Sequence, residues 1–144
     1  MTNDDIKEYL YQYQRDCDNQ KDLQDEVEVK LSEAMSITSM ISDMPRGNGK
    51  AGFEDVVVKY LEICSGLTDA ITAAEQSKIK ISGLIKSVGD YRIEKVLYKL
   101  YIKADKRKDI AENMGYDLRH IDRLHAEGIE IIKHVLECQS IKGL

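Results

Sequence analysis

Two apolar seams of the same period flank one glycine-rich loop. The first runs through Ile6, Leu10, Tyr13, Cys17, Gln20, Gln24, Val27, Leu31, Ala34, Thr38 and Ile41. The second runs through Val57, Tyr60, Cys64, Leu67, Ile71, Ala74, Lys78, Ile81, Ile85 and Val88. In both, the spacing alternates between four and three, which keeps a single stripe on one side of an α-helix and is the pattern of a coiled-coil seam. Gln20, Gln24 and Lys78 are its polar interruptions. Each segment is about 35–40 residues, or roughly 55–60 Å if fully helical. Between them lies 44–52, which holds the only proline and three of the nine glycines and so reads as a turn or loop. Two such helices joined by a short glycine-rich connection predict an antiparallel helical hairpin over residues 1–88.

A two-helix hairpin leaves the edges of both stripes uncovered. Either a second copy covers them, giving a homodimer, or the C-terminal helices close them within a monomer; the length of the seams favours the dimer. Composition agrees with an all-α chain. One proline in 144 residues, with Glu, Lys, Leu, Ile and Ala abundant, suits helices rather than a β fold with many turns. The longest apolar runs are only three or four residues, such as Val56-Val57-Val58, so no membrane span or signal-peptide core is expected, and the polar, acidic start does not resemble a presequence. Cys17, Cys64 and Cys138 are too scattered for a disulfide framework, and the spacing of His120, His125 and His134 does not make a metal trio. The expectation is reduced thiols in a cytoplasmic protein without metal or cofactor.

The break at Val88-Gly89-Asp90 reads as a helix stop followed by a new start. The surface changes there too: residues 1–88 carry 10 Lys+Arg and 16 Asp+Glu, residues 89–144 carry 11 and 10. An acidic total argues against indiscriminate coating of DNA, while leaving room for a small reading surface in the C-terminal part. After Gly89, three shorter amphipathic patterns follow. Ile93, Val96, Leu97, Leu100 and Tyr101 mark one helix. Ile110, Ala111 and Met114 mark a second, and Leu118, Ile121, Leu124, Ile131, Ile132, Val135 and Leu136 a third.

The last two patterns have the spacing of a helix-turn-helix. Ala111 is small enough for two helices to cross closely. Gly115, four residues on, permits the positive φ of a helix end, and Ile121 anchors the second helix. Asp117 is a good N-cap for a helix beginning at Leu118. In such a motif the N-terminal residues of the second helix enter the major groove, which presents Asp117, Leu118, Arg119, Asp122 and Arg123. Arg119 and Arg123 share a face and suit bidentate contact with guanine O6 and N7. Asp122 has two readings, an acceptor for cytosine N4 or a surface pair with a neighbouring arginine. His120 and Tyr116 either touch phosphate or pack at the edge of the motif. Lys106, Arg107 and Lys108 are either phosphate contacts or a solvated basic run. His125 and His134 read as surface or partner-facing residues.

No enzyme is indicated. Ser, Cys and His form no recognisable nucleophile–base motif. Gly47-Asn48-Gly49-Lys50 lacks the spacing of a phosphate loop, and no strand precedes it. Tyr9, Tyr11 and Tyr13 read as packing residues.

Val96–Tyr101, Asp109–Tyr116 and Ile121–His125 resemble region 4 of sigma factors, the part that reads the −35 promoter element. Ser42–Gly47 and the run Met114–His125 are most similar to small phage and prophage proteins of Gram-positive bacteria, the ArpU-type and RinA-type late-gene regulators. The resemblance covers roughly residues 40–134. It implies a phage-encoded transcription regulator in the cytoplasm of a bacterial host, binding double-stranded promoter DNA and contacting host RNA polymerase. Leu118 stands where sigma factors carry a polar or basic residue, so the −35 preference does not carry over. Gly128 replaces a usual alanine, at an expected cost of up to ~1 kcal/mol in helix stability. Arg107 and Lys108 stand where an aromatic is often found. Two other functions fit the same pattern: a module that binds polymerase or another protein with little DNA affinity of its own, and a DNA-recognition subunit of a phage packaging machine.

Overall fold

The computed structural model describes the backbone of residues 1–43 and 50–142, with side chains for residues 1–36 and 54–140. Among the described residues there are six helices and no strand, so the chain is all-α: α1 (Asn3–Leu10), α2 (Gln12–Asp43), α3 (Lys50–Lys86), α4 (Tyr91–Tyr101), α5 (Arg107–Met114) and α6 (Leu118–Lys142). Residues 44–49 of the expected loop lie outside the described residues; 50–52 belong to α3 rather than to a loop. No helix among the described residues is long and apolar enough to cross a membrane.

Packing divides the chain into two compact units, one made of residues 1–15 and 75–144, the other of 16–74. The division expected from sequence fell at 88/89. Residues at both outer ends of the seams account for the difference. Ile6, Leu10, Ile81 and Ile85 are buried in one core with Ile93, Val96, Leu97, Tyr101, Ile110, Ile121, Leu124, Ile129 and Ile132. The apolar faces of α4, α5 and α6 are thus covered in part by the ends of the two seams. Within the same unit α1 lies against α6.

Local chemistry sets the boundaries in this first unit. Thr2 and Asp5 form a reciprocal capping box: the Asp5 amide donates to Thr2 Oγ1 at 3.2 Å and the Thr2 amide to Asp5 Oδ2 at 2.9 Å. The Thr2 amide first, and then the Thr2 hydroxyl, hold the Asp5 carboxyl below the usual range. At the α1–α2 junction the Glu8 carbonyl accepts from the Arg15 guanidinium at 2.7 Å. The break at 88–90 falls where the sequence placed it. Gly89 takes a left-handed φ of 81° and the Asp90 carboxylate accepts from the Arg92 amide at 3.0 Å, capping α4. Between α4 and α5, Ala104 has φ 57°, a left-handed position that a residue with a Cβ seldom takes.

Gly128 lies on the buried face of α6 where α4 crosses. A Cβ there would come within 2.8 Å of both Ile93 Cγ2 and Leu97 Cδ1. The glycine therefore permits the close approach of α4 and α6, and the helix-propensity cost expected from sequence is offset by packing.

The second unit contains the middle of both long helices. Cys17, Gln20, Leu23, Val27, Lys30 and Ala34 form the less exposed stripe of α2. Gln24 is exposed and Leu31 is 43% exposed, so the stripe passes one residue earlier than expected at these two turns. In the part of α3 that belongs to this unit, the buried residues among those described are Ala70 and Ala74, and Ile71 is 41% exposed. The less exposed positions keep a seven-residue spacing, shifted by one residue at these turns. Lys30 lies on this stripe with its side chain partly buried and its ammonium paired to Glu33 at 3.0 Å.

Candidate nucleic-acid interface

The candidate interface is built on α5, α6 and the three residues between them. Ile110 and Ala111 are buried on the inner face of α5, and Ile121 and Leu124 on the inner face of α6. The methyl of Ala111 occupies little of the space where the helices meet, so the interior can be filled by the branched side chains of its neighbours. Gly115 ends α5 with φ 71° and ψ 29°, and its amide donates to the Ala111 carbonyl. This is the left-handed C-terminal cap that a glycine takes without steric cost. The chain then re-enters a helix at once: the Asp117 carboxylate accepts from the His120 amide at 2.9 Å.

The side chains singled out from sequence fall into two groups. Tyr116, Arg119, His120 and Arg123, with Gly115 and Asp117, line an open depression of about 500 Å³ at the start of α6. Within it the Tyr116 and His120 rings meet edge to face with centroids 4.4 Å apart. Arg123 Nη2 donates to His120 Nδ1 at 2.7 Å. That bond requires the unprotonated Nδ1 of a neutral imidazole. Tyr116 and His120 are both half-buried, so of their two readings, packing at the edge of the motif accounts for what they do in the free protein. Arg119 is exposed and has no ion pair or hydrogen bond among the described residues.

The second group lies toward the start of α5. Lys106, Arg107 and Lys108 are all exposed. Arg107 Nη1 donates to Asp122 Oδ1 at 2.6 Å, tying the first turn of α5 to α6. Of the two readings of Asp122, the free protein therefore adopts the surface pair. Leu118, the first residue of α6, is 50% exposed.

His125 is corrected by the structure. It is buried, 4% exposed, rather than at the surface. Its Nε2 lies 2.6 Å from the Tyr101 hydroxyl. Burial pushes the imidazole down to about 4, with the nearby Arg107 charge acting in the same direction. Burial, and then Tyr11 beside it, pushes the Tyr101 phenol up, so the phenol keeps its proton and donates to Nε2. A signal for this was present in the sequence. Counting from Ile121 at helical spacing gives Leu124, His125, Gly128, Ile129 and Ile132, which is the buried face of α6. His134 is exposed as expected.

Cys17 and Cys64 are half-buried and Cys138 exposed, all as free thiols. No cluster of three or more His, Cys, Asp or Glu side chains with the geometry to hold a metal occurs among the described residues. No family model, curated protein or solved structure matches the chain.

Proposed function

We propose that this chain is a sequence-specific regulator of transcription that binds double-stranded DNA through α5 and α6 as a helix-turn-helix, in the manner of the phage and prophage late-gene regulators that its sequence resembles. The observation that carries this reading is the unpaired Arg119 guanidinium on the first turn of α6. It stands beside Arg123, on a helix that starts directly after a left-handed glycine and an aspartate cap. A second helix entering the major groove by its N-terminus presents this turn to base edges. Lys106, Arg107 and Lys108, exposed at the start of α5, serve as phosphate contacts that set register and contribute most of the salt dependence.

Charge supports the same division of labour. Residues 16–74 hold 5 Lys+Arg and 12 Asp+Glu, a surface that repels DNA, while 1–15 and 75–144 together hold 16 and 14. In this proposal the acidic long helices carry the homodimer contact and any contact with host RNA polymerase.

The test is selection from a random duplex pool by purified full-length protein at near-physiological salt. The expected outcome is an enriched motif whose symmetry reports the dimer. Arg119→Ala or Arg123→Ala should then weaken binding by about 1–3 kcal/mol and relax the preference at one base position. A folded protein that enriches no motif alone, yet is retained by RNA polymerase, would replace this reading with the polymerase-binding module.

A further inference from the structure

The polar side chains at the start of α6 are largely committed within the protein. Asp117 caps its own helix at 2.9 Å, Asp122 is held by Arg107 at 2.6 Å, and Arg123 by His120 at 2.7 Å. Two side chains of the first turn are uncommitted. Arg119 has no partner among the described residues, and Leu118 is half exposed. Leu118 is also the only exposed large apolar side chain among the described residues after Tyr98. With no other exposed large apolar side chain on α5 or α6 among the described residues, it is an isolated apolar group rather than part of a wide apolar patch of the kind that marks a protein interface. What the first turn offers a groove is therefore one branched apolar group next to one free guanidinium. In the major groove the only apolar group on a base edge is the thymine 5-methyl, and the paired acceptors O6 and N7 of guanine fit a guanidinium.

We infer that Leu118 packs on a thymine 5-methyl while Arg119 reads a guanine beside it, so that the site recognised by α6 contains a thymine adjacent to a guanine. This rests on the DNA-binding reading above and specifies which base-edge chemistry that reading takes. It also gives Leu118, the position at which the chain departs from sigma factors, a direct part in setting a different preference.

The test uses the full-length protein and the duplex enriched by selection. Each thymine is replaced singly by deoxyuridine, which removes only the methyl group, and affinities are measured for the parent protein and for Leu118→Ala. One thymine per half-site is expected at which the parent protein loses about fourfold in affinity, the worth of one buried methyl-sized group. Leu118→Ala should bind the thymine and uracil duplexes equally, and about as well as the parent binds the uracil duplex. Replacing the neighbouring guanine by 7-deazaguanine should weaken the parent protein and leave Arg119→Ala unaffected. Leu118 is half exposed at a helix start, and circular dichroism of the variant should match the parent. Indifference of the parent protein to every uracil would overturn the inference and leave DNA binding standing. Thymine–uracil discrimination that persists in Leu118→Ala would overturn it in the same way. The absence of any enriched duplex would overturn both.

Discussion

Burial of the His125 ring against the Tyr101 hydroxyl makes the imidazole costly to charge. In the folded protein it titrates at about 4, against an ordinary value of 6.5. Between those values the unfolded chain takes up a proton that the folded chain does not, so stability falls as pH drops through that window and is unaffected by this group on either side of it. Chemical denaturation from pH 7 to pH 4 should show this loss, at most about 1.4 kcal/mol per pH unit from one proton. His125→Gln, which cannot charge, should lower stability at pH 7 and flatten the acid slope by that amount. An unchanged slope in the variant would show that other groups govern the acid response. The side chains read from sequence as base contacts sit differently. Arg119 is free while Arg123 is already oriented by His120, a distinction in side-chain pairing that spacing along one helix does not carry.

Among the helical elements, the α4–α6 crossing depends on the missing side chain of Gly128. Two glycines of the first unit lie within helices, and they should respond in opposite directions to the same change. A Cβ at Gly83 meets nothing within 4 Å, so Gly83→Ala should raise stability by about 0.5–1 kcal/mol through helix propensity. At Gly128 the same propensity gain competes with overpacking against Ile93 and Leu97, typically about 1–3 kcal/mol, and the net effect should be destabilising. Thermal melts of the two variants make the comparison, and a stabilised Gly128→Ala would contradict the described crossing. The elements themselves were largely legible beforehand. The break at Gly89, the glycine cap at Gly115 and the aspartate cap at Asp117 are short-range features, written in the residues that form them. The role of Gly128 is not local. It depends on which face of α4 arrives, and no periodicity along α6 reports that.

Across the whole molecule, the seam pattern reads differently at its ends than in its middle. Ile6, Leu10, Ile81 and Ile85 continue the long seams in sequence, yet they complete the core around α4, α5 and α6. Periodicity shows that a residue faces something; it does not show what, because the partner is set by tertiary packing rather than by spacing along one helix. The division of charge was legible, since it needs only counting, and it is sharper between the two compact units: residues 16–74 carry the acidic excess and the remainder is slightly basic. In the proposed function, DNA meets the second of these regions, at the start of α5 and of α6. The most direct measurement is a backbone-amide NMR titration of the full-length protein with the selected duplex and with a scrambled one. The predicted result is that the selected duplex shifts Lys106–Lys108 and Gly115–Arg123, while residues 16–36 and 54–74 stay in place. Shifts concentrated in residues 16–74, with α5 and the first turns of α6 unmoved, would contradict it.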